Sequence, residues 1–385
     1  MELLDERRLR ELVYGGAVLG AGGGGSIEAG LAAGSEALAL GSPRLAGIDE
    51  LAPTTLIATL SIVGSMGGMS GAQPRPQHGL ALRQLARLEK KHIGAVIASE
   101  VGPQAVTYGW RESAIAGIPI VDAPCNGRAH PLGVMGSLGL NRNPSHVAGV
   151  VAIGGKAASN YVHLSLRTSA TKAGKMIRDT AASSRIPLAV ARNLLPASYV
   201  RNHAAIGGLK YAAQVGAIVL REMKHGLDRL LQQLVSFMGG RILFAGRVNS
   251  VSLTDSHGFT LGHVRLQDRR GGECAVGVCN EYLVLRKERK IQATFPDLIT
   301  IFDFESSLPL ASPQVKPGMR VALLGVPRSR LKLGSTMKDR SLLLPIERWL
   351  NVPLTGSGIT TSDAPDTTTH PSRARVRDPR TLIIH

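Results

Sequence analysis

The 385-residue sequence has little cysteine, few aromatic residues and no long uninterrupted apolar run. Its 3 cysteines, Cys125, Cys274 and Cys279, include no CxxC pair, which excludes a disulfide framework and a zinc ribbon and favours a reducing compartment. Aromatic residues make up 4% of the chain, so few rings are available for stacking on nucleic-acid bases. No apolar run reaches about 18 residues without interruption, and the charged start MELLDERRLREL lacks the apolar region of a signal peptide. We therefore expect a cytoplasmic protein that does not span a membrane.

The basic charge of the sequence is large but diffuse. Lys and Arg number 45 against 28 Asp and Glu, which gives a formal net charge of +17 at pH 7. The excess is spread over residues 101–385, and its densest cluster, residues 286–290, is interrupted by Glu288. Nucleic-acid binders usually concentrate their charge on one face or stripe. The distribution therefore predicts no nucleic-acid partner and favours either a solvated basic surface or attraction for a small, anionic substrate.

Apolar runs alternate with amphipathic stretches in the first part of the chain. The β-branched run over residues 55–64, and shorter runs over 93–100 and 118–122, are typical of strands buried on both faces. Leucines at helical spacing over residues 3–14 and 79–91 predict amphipathic helices. This alternation predicts an α/β fold with a mostly parallel sheet.

The pattern changes twice further along the chain, and these changes predict the domain organisation. The N-terminal α/β domain is expected over residues 1–165, followed by a helical connecting segment over residues 166–238. Alternating apolar residues and regular turn signals predict a mainly β domain over residues 239–353. Residues 354–385 lack apolar periodicity, which predicts a flexible tail.

A glycine block, Gly22, Gly23, Gly24 and Gly25, is followed by Ser26, a residue favoured as a helix N-cap. Backbone N–H groups at such a turn can grip an anionic part of a substrate. The same glycines can instead permit close packing of a helix on a sheet, and the sequence leaves both readings open. Neither a GxGxxG element after a clear strand nor GxxxxGK[ST] is present, so a nucleotide-binding fold is not expected.

Two predicted strands end in polar residues that can carry chemistry. Glu100 ends one strand, and the loop after the next strand contains Asp122, Arg128 and His130. Ligand groups in open α/β sheets lie outside the carboxyl ends of the strands. Glu100 or Asp122 is predicted to activate water, His130 to protonate the leaving group and Arg128 to hold negative charge. Structural ion pairing of the same residues is the alternative.

Other residues are candidates for substrate contact. Cys125 and Asn126 share the loop of His130, and Cys125 is either a nucleophile or an inert buried thiol. Asn280 and Glu281 follow a strand-like run and are candidates either for the same site or for turn structure. A divalent metal is left open as a cofactor, although the chain has no HxH or HExxH spacing. Its ligands would come from Glu100, Asp122, His130, His146 and His163.

Eight short segments, in consistent order, carry a family resemblance. They are GAVLGAGGGGS (16–26), ASEVG (98–102), IPIVDAPCNGRAHP (118–131), GGRILFAGRV (239–248), GFTLGHV (258–264), CNEYLV (279–284), FPDLITIFD (295–303) and KPGMRVALLGVP (316–327). In these segments the chain resembles the S-methyl-thiohydantoin desulfurase-like family, which was long catalogued as a domain of unknown function and is associated with hydantoinase systems.

The resemblance implies an N-terminal α/β domain, a C-terminal mainly β domain and hydrolytic loss of a sulfur substituent from a hydantoin-like ring. The leading hypothesis is therefore a hydrolase of a small cyclic amide or S-substituted thiohydantoin, with its cleft between the two domains. The alternative is a non-catalytic partner or regulatory subunit of a hydantoinase-type enzyme. Surfaces rich in Gly and Ala are compatible with a homodimer.

Overall fold

The computed structural model describes residues 1–64, 77–256, 258–288, 290–354 and 358–359. Within these residues the chain forms one sheet of 8 strands and one of 7 strands, with helices packed around and between them. No helix in this part of the chain has the length and apolar character needed to cross a bilayer.

The first sheet combines parallel and antiparallel strands. Its strands are β1 (Glu2–Leu3), β2 (Arg44–Ala46), β3 (Leu56–Val63), β4 (Ala95–Ala98), β5 (Ile120–Val121), β6 (Ala148–Gly154), β7 (Val162–Thr168) and β8 (Leu188–Pro196). Their order is β1-β2-β5-β4-β3-β8-β6-β7. Strands β2, β5, β4 and β3 are parallel neighbours, β6 runs in their direction, and β1, β8 and β7 run in the opposite one. The predicted α/β domain with a mostly parallel sheet is confirmed.

Helices cover this sheet and separate it from the second one. They are α1 (Glu6–Leu19), α2 (Ile27–Leu40), α3 (His78–Glu89), α4 (Trp110–Ala116), α5 (Ala170–Ser184), α6 (Ala197–His203), α7 (Gly208–Glu222), α8 (Leu227–Met238) and α9 (Leu344–Leu350). Helices α1 and α7 approach so closely that a Cβ on Gly216 would lie 1.8 Å from the carbonyl oxygen of Glu11. Glycine is therefore needed at this crossing because no side chain fits between the two backbones.

The second sheet is wholly antiparallel and forms a half-barrel. Its strands are β9 (Arg241–Ser256), β10 (Phe259–Gln267), β11 (Glu273–Cys279), β12 (Glu281–Lys287), β13 (Lys290–Thr294), β14 (Leu298–Asp303) and β15 (Arg320–Val326), in the order β13-β12-β11-β10-β9-β15-β14. Consecutive strands from β9 to β13 pair as a meander. Strand β15 pairs with the long strand β9, and β14 pairs with β15 and forms one edge of the sheet. The predicted C-terminal β domain is confirmed.

The predicted helical connecting segment over residues 166–238 needs correction. It contains α5, α6, α7 and α8, but it also supplies β8, which lies between β3 and β6 in the first sheet. Pro187 and Pro196 flank the apolar run of β8, whose first residues are fully buried. Strand β8 of this segment therefore belongs to the first sheet, so the segment is not wholly helical.

The two domains share a continuous core and direct hydrogen bonds. Buried residues of α1, α7 and α8 form one apolar cluster with residues of β14 and β15. The Thr300 hydroxyl donates to the Val18 carbonyl at 2.8 Å, and the Tyr282 N–H donates to the Ala21 carbonyl at 2.8 Å. These contacts hold the glycine block after α1 against the β domain.

The predicted flexible tail lies almost wholly outside the described residues. Leu354 and Ile359 are described, and both are buried. The N–H of Leu354 donates to Glu347, and the N–H of Ile359 donates to Asp297. These first residues of the predicted tail therefore belong to the folded β domain.

Candidate active site

A cavity of about 330 Å³ lies between the two domains. The α/β domain contributes the glycine block, the ends of β3 and β4, and residues of α5 and β8; the β domain contributes three loops. Its polar lining is Ser26, Ser61, Ser99, Glu100, Gln104, Tyr108, His130, Arg178, Arg192, Thr260, Asn280, Glu281, Ser312 and Gln314. Because β3 and β4 are parallel neighbours, their carboxyl ends open on the same edge of the sheet, where the cavity lies.

Glu100 is the carboxyl group most suited to proton transfer in this cavity. It follows β4, and its side chain is 16% exposed. One oxygen accepts a hydrogen bond from the His130 N–H at 3.2 Å. Burial raises the pKa of Glu100 to about 7, against the opposing effects of this hydrogen bond and of the nearby Arg192 and Arg128 charges. A carboxyl group with a pKa near 7 is poised to accept and release a proton at neutral pH.

His130 lines the cavity but does not suit the predicted role of proton donor. Its Nε2 lies 3.3 Å from the Ser99 carbonyl oxygen, a contact that favours the tautomer protonated at Nε2. Its Nδ1 has no hydrogen-bond partner among the described residues. Burial lowers the pKa of His130 to about 4, so the ring is neutral at pH 7. Its visible contribution is the backbone N–H that holds Glu100.

Arg192 is a cavity residue that sequence reasoning missed. It lies on β8 and is 4% exposed, and its Nε and Nη2 atoms have no hydrogen-bond partner among the described residues. The next residue, Asn193, has a φ of +54°, and the pairing of β3 with β8 shifts register there. Bulges of this kind re-aim side chains beside functional sites. The available signal was a lone arginine within the apolar run LAVARNLLP, but that run was not recognised as a strand.

Glu281 and Asn280 bring the β domain into the cavity. Glu281 is 3% exposed, and its Oε2 has no hydrogen-bond partner within the described part of the chain. Burial, followed by the effect of the Glu100 carboxyl, raises the pKa of Glu281 well above its usual range. Asn280 adopts a left-handed backbone with φ +57°, and its side-chain oxygen accepts from the Thr260 N–H at 2.9 Å. Asn280 thus shapes the rim, while Glu281 presents a buried carboxyl group whose protonated form is favoured by burial.

The glycine block lines the cavity and also packs closely against its neighbours. A Cβ on Gly23 would lie 2.1 Å from a Glu281 oxygen, and one on Gly24 would lie 2.6 Å from the Gly102 Cα. Ser26 caps α2 as predicted, with its hydroxyl accepting from the Ala29 N–H at 3.1 Å. No described residue accepts a hydrogen bond from the N–H of Gly24 or Gly25. The close packing is thus present in the structure, and two backbone donors are left for a ligand.

Asp122, predicted as an alternative base, is directed away from the cavity. It is 3% exposed, and one carboxylate oxygen accepts from the N–H groups of Leu209 at 2.7 Å and Lys210 at 3.3 Å. These residues form the first turn of α7, where a carboxylate satisfies free N–H groups and favours the helix dipole. Asp122 does not line the cavity and has a capping role.

Cys125 and Asn126 are also absent from the cavity lining. Cys125 is 1% exposed, with its Sγ 3.6 Å from the Thr59 hydroxyl, and burial raises the pKa of this thiol to about 11. Such a thiol is protonated at neutral pH and is not an activated nucleophile. The Asn126 amide donates to the Met135 carbonyl at 2.9 Å and accepts from Thr336. Both residues therefore support the loop rather than the substrate.

Arg128 joins the two domains instead of facing the cavity. It is fully buried, its Nη1 donates to the Asp297 and Pro296 carbonyls, and its guanidinium lies 4.8 Å from the centre of the Phe295 ring. Burial lowers the pKa of Arg128 to about 10, opposed chiefly by the Glu281 carboxylate. The structure therefore places Arg128 outside the cavity lining, which does not support the predicted anion-holding role, although its charge still acts on Glu281 and Glu100.

The described residues do not fit a metal centre. No group of three or more His, Cys, Asp and Glu side chains within this part of the chain is arranged to hold a metal ion. Glu100 and His130 share the cavity, but Asp122 is engaged by α7.

The fold and the cavity define a two-domain protein with a polar cleft between an α/β domain and an antiparallel β domain. The chain belongs to the S-Me-THD-like family, because models of that family's N-terminal and C-terminal domains match residues 7–160 and 168–333. A crystal structure of a protein from Chromobacterium violaceum has a similar fold, with 20% identity, a TM-score of 0.69 and coverage of 90% of this chain and 97% of that one. No curated protein matches the chain significantly.

Proposed function

We propose that the protein is a hydrolase that removes a sulfur substituent from, or opens, a five-membered thiohydantoin or hydantoin ring. The family supports a thiohydantoin-related role. The observation that carries the hydrolytic mechanism is the Glu100 carboxyl. It lines the cavity of about 330 Å³, and its pKa is raised to about 7. Water-activating carboxyl groups are tuned in this way by burial.

In the proposed reaction Glu100 acts first as a base and then as an acid. Its carboxylate removes a proton from water as the water oxygen forms a bond to the ring carbon. The bond from that carbon to the leaving sulfur or nitrogen then breaks, and the protonated Glu100 returns the proton to the leaving group. The His130 N–H holds the carboxylate in place, which fixes the direction of proton transfer.

Negative charge that develops on the ring is stabilised by hydrogen-bond donors, and the cavity offers two kinds of donor. The N–H groups of Gly24 and Gly25 have no other acceptor among the described residues. The Glu281 carboxyl, whose pKa is raised well above its usual range by burial, can also donate a hydrogen bond in its protonated form. Donors fixed before the reaction stabilise such charge without reorganisation.

Glu100→Gln tests the base directly. The substitution keeps the shape of the side chain and an oxygen for the His130 N–H but removes the titrating group. We expect turnover of an S-methyl-thiohydantoin to fall by about 100-fold or more. The readout is release of thiol, with ring opening of the matching hydantoin measured in parallel.

The matched control is Glu112→Gln, which changes a carboxyl group of α4 that is also buried, at 8% exposure, but does not line the cavity. This control is expected to retain turnover. Full activity of Glu100→Gln would remove Glu100 from the mechanism. Absence of thiol release and ring opening by the wild-type protein would favour the non-catalytic alternative.

A further inference from the structure

Strand β7 is a regular edge strand with one side open. It ends the order of the first sheet and, among the described strands, pairs only with β6. Its 7 residues pair with β6 in unbroken register, without a bulge, and none of them is a proline. Natural proteins usually protect such an edge with a bulge, a proline or several charges, whereas β7 carries only Arg167. The outer N–H and C=O groups of β7 are therefore open to pairing with a further strand.

The apolar core of the α/β domain continues onto this edge. Val162, Leu164 and Leu166 of β7 pack at the margin of an apolar cluster of α5, β6 and β8, and each is only partly buried. Met176 of α5 is 45% exposed, and Tyr161, just before β7, is 46% exposed. A partner at this edge would therefore bury apolar side chains as well as pair the backbone.

Helix α5 places a stripe of complementary charge beside the edge. Ile177 is buried against the sheet, and Arg178 lines the interdomain cavity, which lies beside β3 and β8. Successive helical residues point about 100° apart, so Met176 lies on the flank of α5 opposite Arg178, toward β7. Lys172 and Asp179 are exposed about one turn before and one turn after Met176.

We propose that the protein is a two-fold homodimer in which β7 pairs antiparallel with β7 of a second copy and α5 packs against its symmetry mate. The 7 residues of β7 span about 23 Å and the 15 residues of α5 about 22 Å, so their midpoints, Ser165 and Ile177, can lie near one axis. Antiparallel pairs of strands and of helices are both self-complementary about such an axis.

The charges on α5 are the argument for a second copy as the partner. About the proposed axis Met176 meets its own counterpart, and Lys172 of each copy lies opposite Asp179 of the other. A stripe with a cation on one side of its centre and an anion on the other matches itself when it is reversed. The flank that carries Arg178 faces away from this contact, so dimerisation leaves the cavity open.

Sedimentation velocity of the full chain over about 1 to 100 μM tests the proposal. The wild-type protein is expected to reach twice the mass of the chain. Met176→Lys places two like charges at the axis and should weaken the dimer at least about 10-fold. Leu40→Lys is the matched control, because Leu40 is also 45% exposed but lies just before β2, toward the opposite end of the sheet. This control should dimerise as the wild type does.

Exchange of charge on α5 tests how the two copies align. Lys172→Glu and Asp179→Lys each bring like charges together and should weaken the dimer about 5- to 10-fold, whereas the double variant should return to within about threefold of wild type. Asp179 also pairs with Lys175 of its own helix, but that pair is exposed and contributes little.

A wild-type protein that stays monomeric at the highest concentration overturns the proposal. So does a dimer that Met176→Lys leaves intact, including one that Leu40→Lys disrupts instead. If Met176→Lys fails to fold, Ser165→Lys at the exposed centre of β7 replaces it, with the same expected result and the same contradicting one.

Discussion

At the scale of single residues, Glu100 and Asp122 are both carboxyl groups at strand ends, but they have different surroundings and different roles. Each follows a strand of the parallel part of the sheet, and burial raises the pKa of each carboxyl. Asp122, however, accepts two N–H groups from the first turn of α7, whereas Glu100 accepts one N–H and lines a cavity. The partners of a strand-end carboxyl therefore decide its role, and these partners come from distant parts of the sequence.

Substitution of Asp122 separates its capping role from catalysis. Asp122→Ala leaves two buried N–H groups without an acceptor and is expected to cost about 1–2 kcal/mol of unfolding free energy. Asp122→Asn keeps an acceptor oxygen and should cost less. Thermal melts measure the difference, and turnover per folded molecule should match wild type in both variants. Loss of turnover in a fully folded Asp122→Asn protein would show that Asp122 takes part in the reaction.

Sequence reasoning located some of the cavity residues but not the buried cation Arg192. Glu100, His130 and Glu281 were candidates because they follow strand-like runs or share one loop, and all three line the cavity. Arg192 was missed because its position depends on a strand hidden between two prolines and on a bulge at Asn193. A bulge depends on tertiary pairing, which the local sequence pattern does not reveal.

At the scale of secondary-structure elements, the crossing of α1 and α7 depends on paired glycines. A Cβ on Gly15 would lie 1.7 Å from the Ala212 carbonyl oxygen, and one on Gly216 would lie 1.8 Å from the Glu11 carbonyl oxygen. The sequence predicts helical structure in both regions, over residues 3–14 and within residues 166–238, because periodicity is a local signal. It does not predict which helices cross, since that contact joins residues about 200 positions apart.

Gly216→Ala tests this crossing. The added methyl group forces the two backbones apart, and we expect a loss of about 2 kcal/mol in unfolding stability despite the better helix propensity of alanine. Gly174→Ala is the control, because its Cβ would meet Val134 at an ordinary 3.5 Å within α5. That control should be neutral or gain up to about 1 kcal/mol. Equal melting temperatures for the two variants would show that the helices can separate without cost.

At the scale of the whole molecule, the properties of the cavity require both domains. Glu100 belongs to the α/β domain, while Glu281, Asn280 and Ser312 come from the β domain. The Ser312 N–H donates to the Gly22 carbonyl at 2.9 Å, and its hydroxyl donates to the Asn280 carbonyl at 2.6 Å, so the walls of the cavity are tied together. The β domain therefore helps to bury Glu100, and burial is what raises its pKa.

The dependence of kcat/KM on pH tests the central claim most directly. A base must be deprotonated to act, so turnover of an S-methyl-thiohydantoin should rise with pH and level off above an apparent pKa of about 7. The profile is measured between pH 5 and 9, within the range in which melting curves show the protein folded. A rise through about pH 7 that is absent from the residual activity of Glu100→Gln is the predicted result. A wild-type profile that is flat across this range, or the same rise in Glu100→Gln, would contradict the account.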